Sequence, residues 1–111
     1  MGLKKTNYVS NSTGVTLPTA YAVLKNLIIE KDDNVRAIFA IQTSRENATL
    51  YRPIDTTTIW FKWDRKTDPA KMAYETAKNE VRTVETGIYE DEKPVTETEY
   101  GTLYGWKDDI V

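Results

Sequence analysis

Thr19-Ala20-Tyr21-Ala22-Val23-Leu24-Lys25-Asn26-Leu27-Ile28-Ile29-Glu30, then Lys31-Asp32-Asp33-Asn34, then Val35-Arg36-Ala37-Ile38-Phe39-Ala40-Ile41-Gln42-Thr43, is the stretch on which the fold turns. Two runs rich in apolar and β-branched residues flank a polar four-residue link whose Asp and Asn tolerate turn dihedrals, so the stretch predicts an antiparallel hairpin. In the second run Val35, Ala37, Phe39 and Ile41 alternate with Arg36 and Gln42, which assigns them to a core face. The first run is apolar on both sides, with Tyr21, Val23, Leu27 and Ile29 expected on one face and Ala22, Leu24 and Ile28 on the other. Burial of both faces implies a central strand, or a face covered by another subunit.

Downstream of the hairpin, Thr56 to Trp63 alternates Thr57, Ile59, Phe61 and Trp63 against Thr56, Thr58, Trp60 and Lys62, a third strand. Asp68-Pro69 then opens a helix, with Asp accepting from free N–H groups and Pro at the first helical position. Ala70, Ala73, Tyr74, Ala77, Val81 and Val84 follow at spacings of three and four, and Gly87 offers a stop. Upstream, Met1 to Pro18 is rich in Ser, Thr, Asn and Gly, a lead-in with a short strand near Thr6 to Val9. The expected fold is α+β: an antiparallel β-sheet or small β-sandwich of about four to six strands with one α-helix over residues 68–84 packed on it. Residues 1–87 form that domain; residues 88–111 are an acidic, aromatic C-terminal arm, part of the same domain or a docking extension.

Charge divides along the same line. Met1 to Val84 carries 13 cations and 9 anions (+4), whereas Glu85 to Val111 carries 2 cations and 8 anions (−6), which together give the net charge of −2. A mildly basic body followed by an acidic arm bearing Tyr and Trp suits association, since opposite charge steers docking and buried rings supply contact energy. The anchors expected in the arm are Tyr100, Leu103, Tyr104 and Trp106, with Asp108 and Asp109 guiding it to a cationic surface such as Arg65 and Lys66. The same rings could equally dock on the chain's own body.

The chain has 111 residues, 40% of them hydrophobic and 29% charged, which suits one modest core. It contains neither Cys nor His. Disulfides, thiol nucleophiles, Ser-His-Asp triads and Cys/His zinc sites are therefore excluded. With Gly only at 2, 14, 87, 101 and 105, no phosphate loop, dinucleotide fingerprint or hydrolase elbow can form. The pairs Asp32/Asp33, Asp91/Glu92 and Asp108/Asp109 fall in turns or the tail and match no calcium loop. The sequence thus predicts no enzyme activity, no catalytic residue, no metal and no cofactor. The polar start is not a signal peptide, and no run approaches the roughly 18 apolar residues of a membrane helix.

Trp60-Phe61-Lys62-Trp63-Asp64-Arg65-Lys66 interleaves rings with cations, a pattern that can stack single-stranded bases while neutralising phosphates. A nucleic-acid site would use Trp60, Lys62, Arg65 and Lys66, and the acidic ending Asp108-Asp109-Ile110-Val111 is similar to the tails of single-stranded DNA-binding proteins. Core packing of Phe61 and Trp63 beside Ile59, and a body charge of only +4, weigh against it.

Several short blocks spread over nearly the whole chain carry a resemblance: Gly2-Leu3-Lys4-Lys5-Thr6-Asn7-Tyr8, Thr19-Ala20-Tyr21-Ala22-Val23-Leu24, Ser44-Arg45-Glu46, Ala73-Tyr74-Glu75-Thr76-Ala77-Lys78 and Gly105-Trp106-Lys107-Asp108-Asp109-Ile110. Together they resemble small proteins encoded among the tail genes of siphophages that infect Gram-positive bacteria. The resemblance implies a non-enzymatic virion protein of the tail or baseplate, made in the bacterial cytoplasm and carried in the virion. Its expected partners are other phage tail and baseplate proteins and further copies of itself in a homo-oligomer. The alternatives are the nucleic-acid-binding reading above and an assembly chaperone absent from the mature particle. A host-surface carbohydrate is a ligand that the pattern neither selects nor excludes.

Overall fold

A computed structural model describes residues 2–44, 46, 47 and 52–109. Strands β1 (Gly2–Val9), β2 (Thr16–Ile29), β3 (Asn34–Gln42), β4 (Asp55–Lys62) and β7 (Lys107–Asp109) form one antiparallel sheet in the order β4-β3-β2-β1-β7. Strands β5 (Val81–Glu90) and β6 (Lys93–Tyr100) form a separate two-stranded hairpin, and helix α1 (Pro69–Lys78) lies between β4 and β5 in the chain. The architecture is α+β, as the pattern predicts. The hairpin does not close a sandwich, since both of its faces are largely open to solvent.

The central place of β2 explains its apolar residues on both sides, but the two faces are not those that simple alternation gives. The β2–β3 register shifts between Leu24 and Asn26, so Lys25 is an extra residue that reverses the pointing of everything after it. Cross-strand partners share a face. Leu24 pairs with Phe39 and Leu27 with Ala37, which places Ala22, Leu24, Leu27 and Ile29 together and leaves Tyr21, Val23, Asn26 and Ile28 opposite. The expectation that Leu27 accompanies Tyr21 and Val23 is thereby corrected.

Helix α1 covers the first of these faces. Asp68 accepts from the Ala70 N–H at 3.0 Å and Pro69 occupies the first turn, the start that the sequence predicts. Ala73, Tyr74 and Ala77 face a core of Leu3, Ala20, Ala22, Ala37, Phe39, Ile41 and Ile59, where small side chains on strands and helix permit close approach. Phe39 and Tyr74 meet edge to face with centroids 5.2 Å apart.

The helix stops at Lys78, not at residue 84. Asn79 caps it through its backbone N–H to the Thr76 carbonyl, and its side chain donates to the Glu75 carbonyl at 2.9 Å. Val81 and Val84 continue the helical spacing but lie in β5, where they pair with Tyr100 and Glu97. A run of Val and Thr tolerates the extended state as well as the helical one, and pairing with β6 decides between them.

Beside the β2 bulge the Tyr74 hydroxyl accepts from the Leu24 N–H at 2.9 Å, satisfying a donor that lies between sheet and helix. Tyr74→Phe deletes that acceptor, and denaturant titration is expected to show a loss of about 1 to 3 kcal/mol.

Candidate assembly surface

The feature that stands apart from the body is the β5–β6 hairpin. A radius of gyration of 15.9 Å exceeds the roughly 13 Å of a compact chain this long, and the longest dimension is 53 Å. Val84 and Val95 are its half-buried side chains; Val81, Ile88, Tyr89 and Tyr100 are each more than half exposed. Pairing of Val81 with Tyr100 and of Tyr89 with Pro94 places Val81, Tyr89 and Tyr100 on one face with Thr83, Glu85, Thr96 and Thr98. The other face carries Glu97, Glu99 and Arg82, with Arg82 and Glu99 joined at 3.2 Å. Six carboxylates against two cations between Val81 and Tyr100 leave the arm at −4.

Its base is fixed. The Gly101 N–H donates to the Glu80 carbonyl at 2.8 Å and the Gly105 N–H to the Lys78 carbonyl at 3.0 Å. Gly101 lies so close to Glu80 that a β-carbon there would collide with the Glu80 side chain. The tip is less settled: Asp91 and Glu92 both hold positive φ, 50° and 63°, as a two-residue I′ turn demands. Each non-glycine residue in that region costs about 1 to 2 kcal/mol. The double variant Asp91→Asn, Glu92→Gly is expected to slow amide exchange across residues 81–100 by about tenfold while leaving that of the five-stranded sheet unchanged.

The expected anchors divide between body and solvent. Leu103 and Trp106 are buried, Trp106 meeting Tyr8 edge to face at 5.3 Å, and the backbone of Lys107–Asp109 extends the sheet alongside β1. Among the described residues the Trp106 indole N–H finds no hydrogen-bond partner. Tyr100 and Tyr104 stay exposed, their rings in contact with centroids 4.5 Å apart and planes tilted by 40°. Asp108 bonds Lys78 at 3.0 Å, and Lys78 also bonds Glu75 at 3.0 Å, contacts that raise the lysine's pKa, Glu75 contributing most. Arg65 is held by Asp33 at 2.8 Å. The anticipated match of Asp108 with Arg65 and Lys66 is therefore not formed within the chain, while Asp109 contributes a backbone pairing with Gly2. Ile110 and Val111 lie outside the described residues.

On the sheet face away from α1, Trp60 is 60% exposed and the Arg36 guanidinium sits 5.6 Å from its ring centroid. Lys62 projects from the same face of β4, and Lys66 is exposed in the turn beyond it. The nucleic-acid set is thus partly assembled, with Arg65 turned aside to Asp33.

A second polar cluster was not anticipated. Asp55, at the start of β4, is buried and accepts from the Tyr8 hydroxyl, the Ser10 hydroxyl (3.1 Å) and the backbone N–H groups of Asn11 and Ser12 (both 3.0 Å). Burial by itself pushes this carboxyl up, but the hydrogen bonds from Ser12, Tyr8 and Asn11 prevail and hold it down at about 2. The Tyr8 phenol is pushed up, by burial first and then by the adjoining carboxylate. The donors come from the end of β1 and from the β1–β2 connection, so the carboxylate works as a clasp that ties that corner to β4. A folded value below the unfolded one means that the clasp is at full strength above about pH 4 and is lost as pH falls through about 2. Asp55→Asn should remove roughly 2 kcal/mol at neutral pH and flatten the acid limb of the stability profile in that window.

Among the described residues no group of three or more Asp, Glu, His or Cys is placed to hold a metal ion, and no helix is long and apolar enough to cross a membrane. No family model matches this chain, and comparison with curated proteins and with solved structures likewise gives no match.

Proposed function

We propose that this chain is a non-enzymatic structural subunit of a phage tail or baseplate, which joins neighbouring proteins through its β5–β6 arm. The observation that carries the assembly reading is the arm itself. It is a twenty-residue hairpin with four large apolar side chains in solvent, which add nothing to the core and are available as contact area. The body beneath supplies rigidity through the Asp55 clasp and the α1-covered sheet. Support for the non-enzymatic part is chemical, since a chain without Cys and His lacks thiol nucleophiles and the commonest general base near neutral pH. Support for the phage setting is the block-wise resemblance of the sequence to siphophage tail proteins.

A single-stranded nucleic-acid site is the second reading, favoured by exposed Trp60 with Arg36 and Lys62 on one sheet face. Arg65, committed to Asp33, weakens it.

Particle composition tests the first reading. Purified phage particles are expected to contain the chain, and Tyr89→Ser, Tyr100→Ser protein with an unchanged melting temperature should be incorporated at least about tenfold less. Presence in lysate but absence from particles would overturn the virion role and select the chaperone alternative. Undiminished incorporation would overturn the arm as the contact element. Retention of single-stranded DNA at low salt, lost in Trp60→Ala, would establish the second reading.

A further inference from the structure

At the opposite side of the sheet from β4, a groove of about 400 Å³ is lined by Lys4, Lys5, Thr6, Thr19, Ala20, Gly105 and Lys107. Its walls are largely apolar and its charged members are all cations. Lys4 and Lys107 stand directly opposite one another in the β1–β7 register, an arrangement that repels. Among the described residues no carboxylate lies within ion-pair distance of Lys4, Lys5 or Lys107. β7 pairs only with Gly2, Leu3 and Lys4, so beyond Lys4 the outer side of β1 has no strand beside it among the described residues. The site holds uncompensated positive charge beside an incompletely paired strand.

The arm tip has the complementary chemistry. Tyr89 is 66% exposed and is followed by Glu90, Asp91 and Glu92, none of them ion-paired among the described residues. The tip cannot serve its own groove. The ten-residue strand β5 carries it roughly 30 Å from the arm's base, whereas Gly105 and Lys107 lie close to that base.

We propose that the arm tip of one copy docks in the lysine-rimmed groove of a second copy, with the Tyr89 ring and Pro94 against Thr6 and Thr19 and the three tip carboxylates facing Lys4, Lys5 and Lys107. The contact is head to tail, because arm and groove are different surfaces of the same chain, so repetition gives a closed ring or an open filament. It rests on the assembly reading and names the partner for it.

Sedimentation of the purified full-length chain tests this. Wild type is expected to associate with rising concentration and to dissociate as salt is raised. Lys4→Glu, Lys5→Glu and, separately, Glu90→Lys, Glu92→Lys each weaken association by at least about tenfold. All four positions are exposed, and matching circular dichroism melts confirm that both variants are folded. An equimolar mixture of the two variants restores association, since each then offers the other an opposite charge. A monomeric wild type at every concentration overturns docking between copies, while incorporation into particles remains the separate measure of the assembly reading. An oligomer unaffected by either reversal, or not restored by mixing, overturns the arm-to-groove pairing and leaves assembly through another surface.

Discussion

The structure depends on one extra residue in its central strand. Lys25 bulges out of β2, and because side chains alternate with a period of two, that insertion brings Leu24 and Leu27 to the same side. Without it Leu27 would leave the core that it lines with Ala37 and Ile59, and the sheet would present a poorer surface to α1. The same bulge lies beside the Leu24 N–H that the Tyr74 hydroxyl receives, so register, helix placement and polar satisfaction are set at one point.

From that body the chain departs once, in the β5–β6 hairpin, and returns. Residues after Tyr100 rejoin the fold through Leu103, Trp106 and the short strand β7, and Lys78 ties the end of α1 to Asp108. An arm bounded on both sides by anchored segments is held in direction at its base, which lowers the entropy lost when it meets a partner. Its exposed side chains and carboxylates are then held away from the core, to whose packing they contribute nothing.

Much of this was legible along the chain. The β2–β3 hairpin, β4 with Ile59 inward and Trp60 outward, and the Asp68-Pro69 helix start all follow from local periodicity and capping chemistry. The bulge was not legible, because nothing in Leu24-Lys25-Asn26-Leu27 distinguishes an inserted residue from a plain alternation. The end of the helix was misplaced for a related reason: Val81 and Val84 keep the helical spacing, and only pairing with Tyr100 and Glu97 of the next strand overrides it. The Asp55 clasp joins groups more than forty residues apart, so no local pattern announces it.

The sequence by itself determined the class of the fold, the apolar character of both faces of its second strand, and, through the lack of His and Cys, the thiol and imidazole chemistry closed to it. Charge partition along the chain also marked the acidic segment. Tertiary structure decided which rings of that segment are spent on the core and which face solvent, sending Leu103 and Trp106 inward and leaving Tyr89, Tyr100 and Tyr104 outside. The physical reason is that composition and period are local properties, whereas exposure depends on which distant strand or helix arrives to cover a side chain.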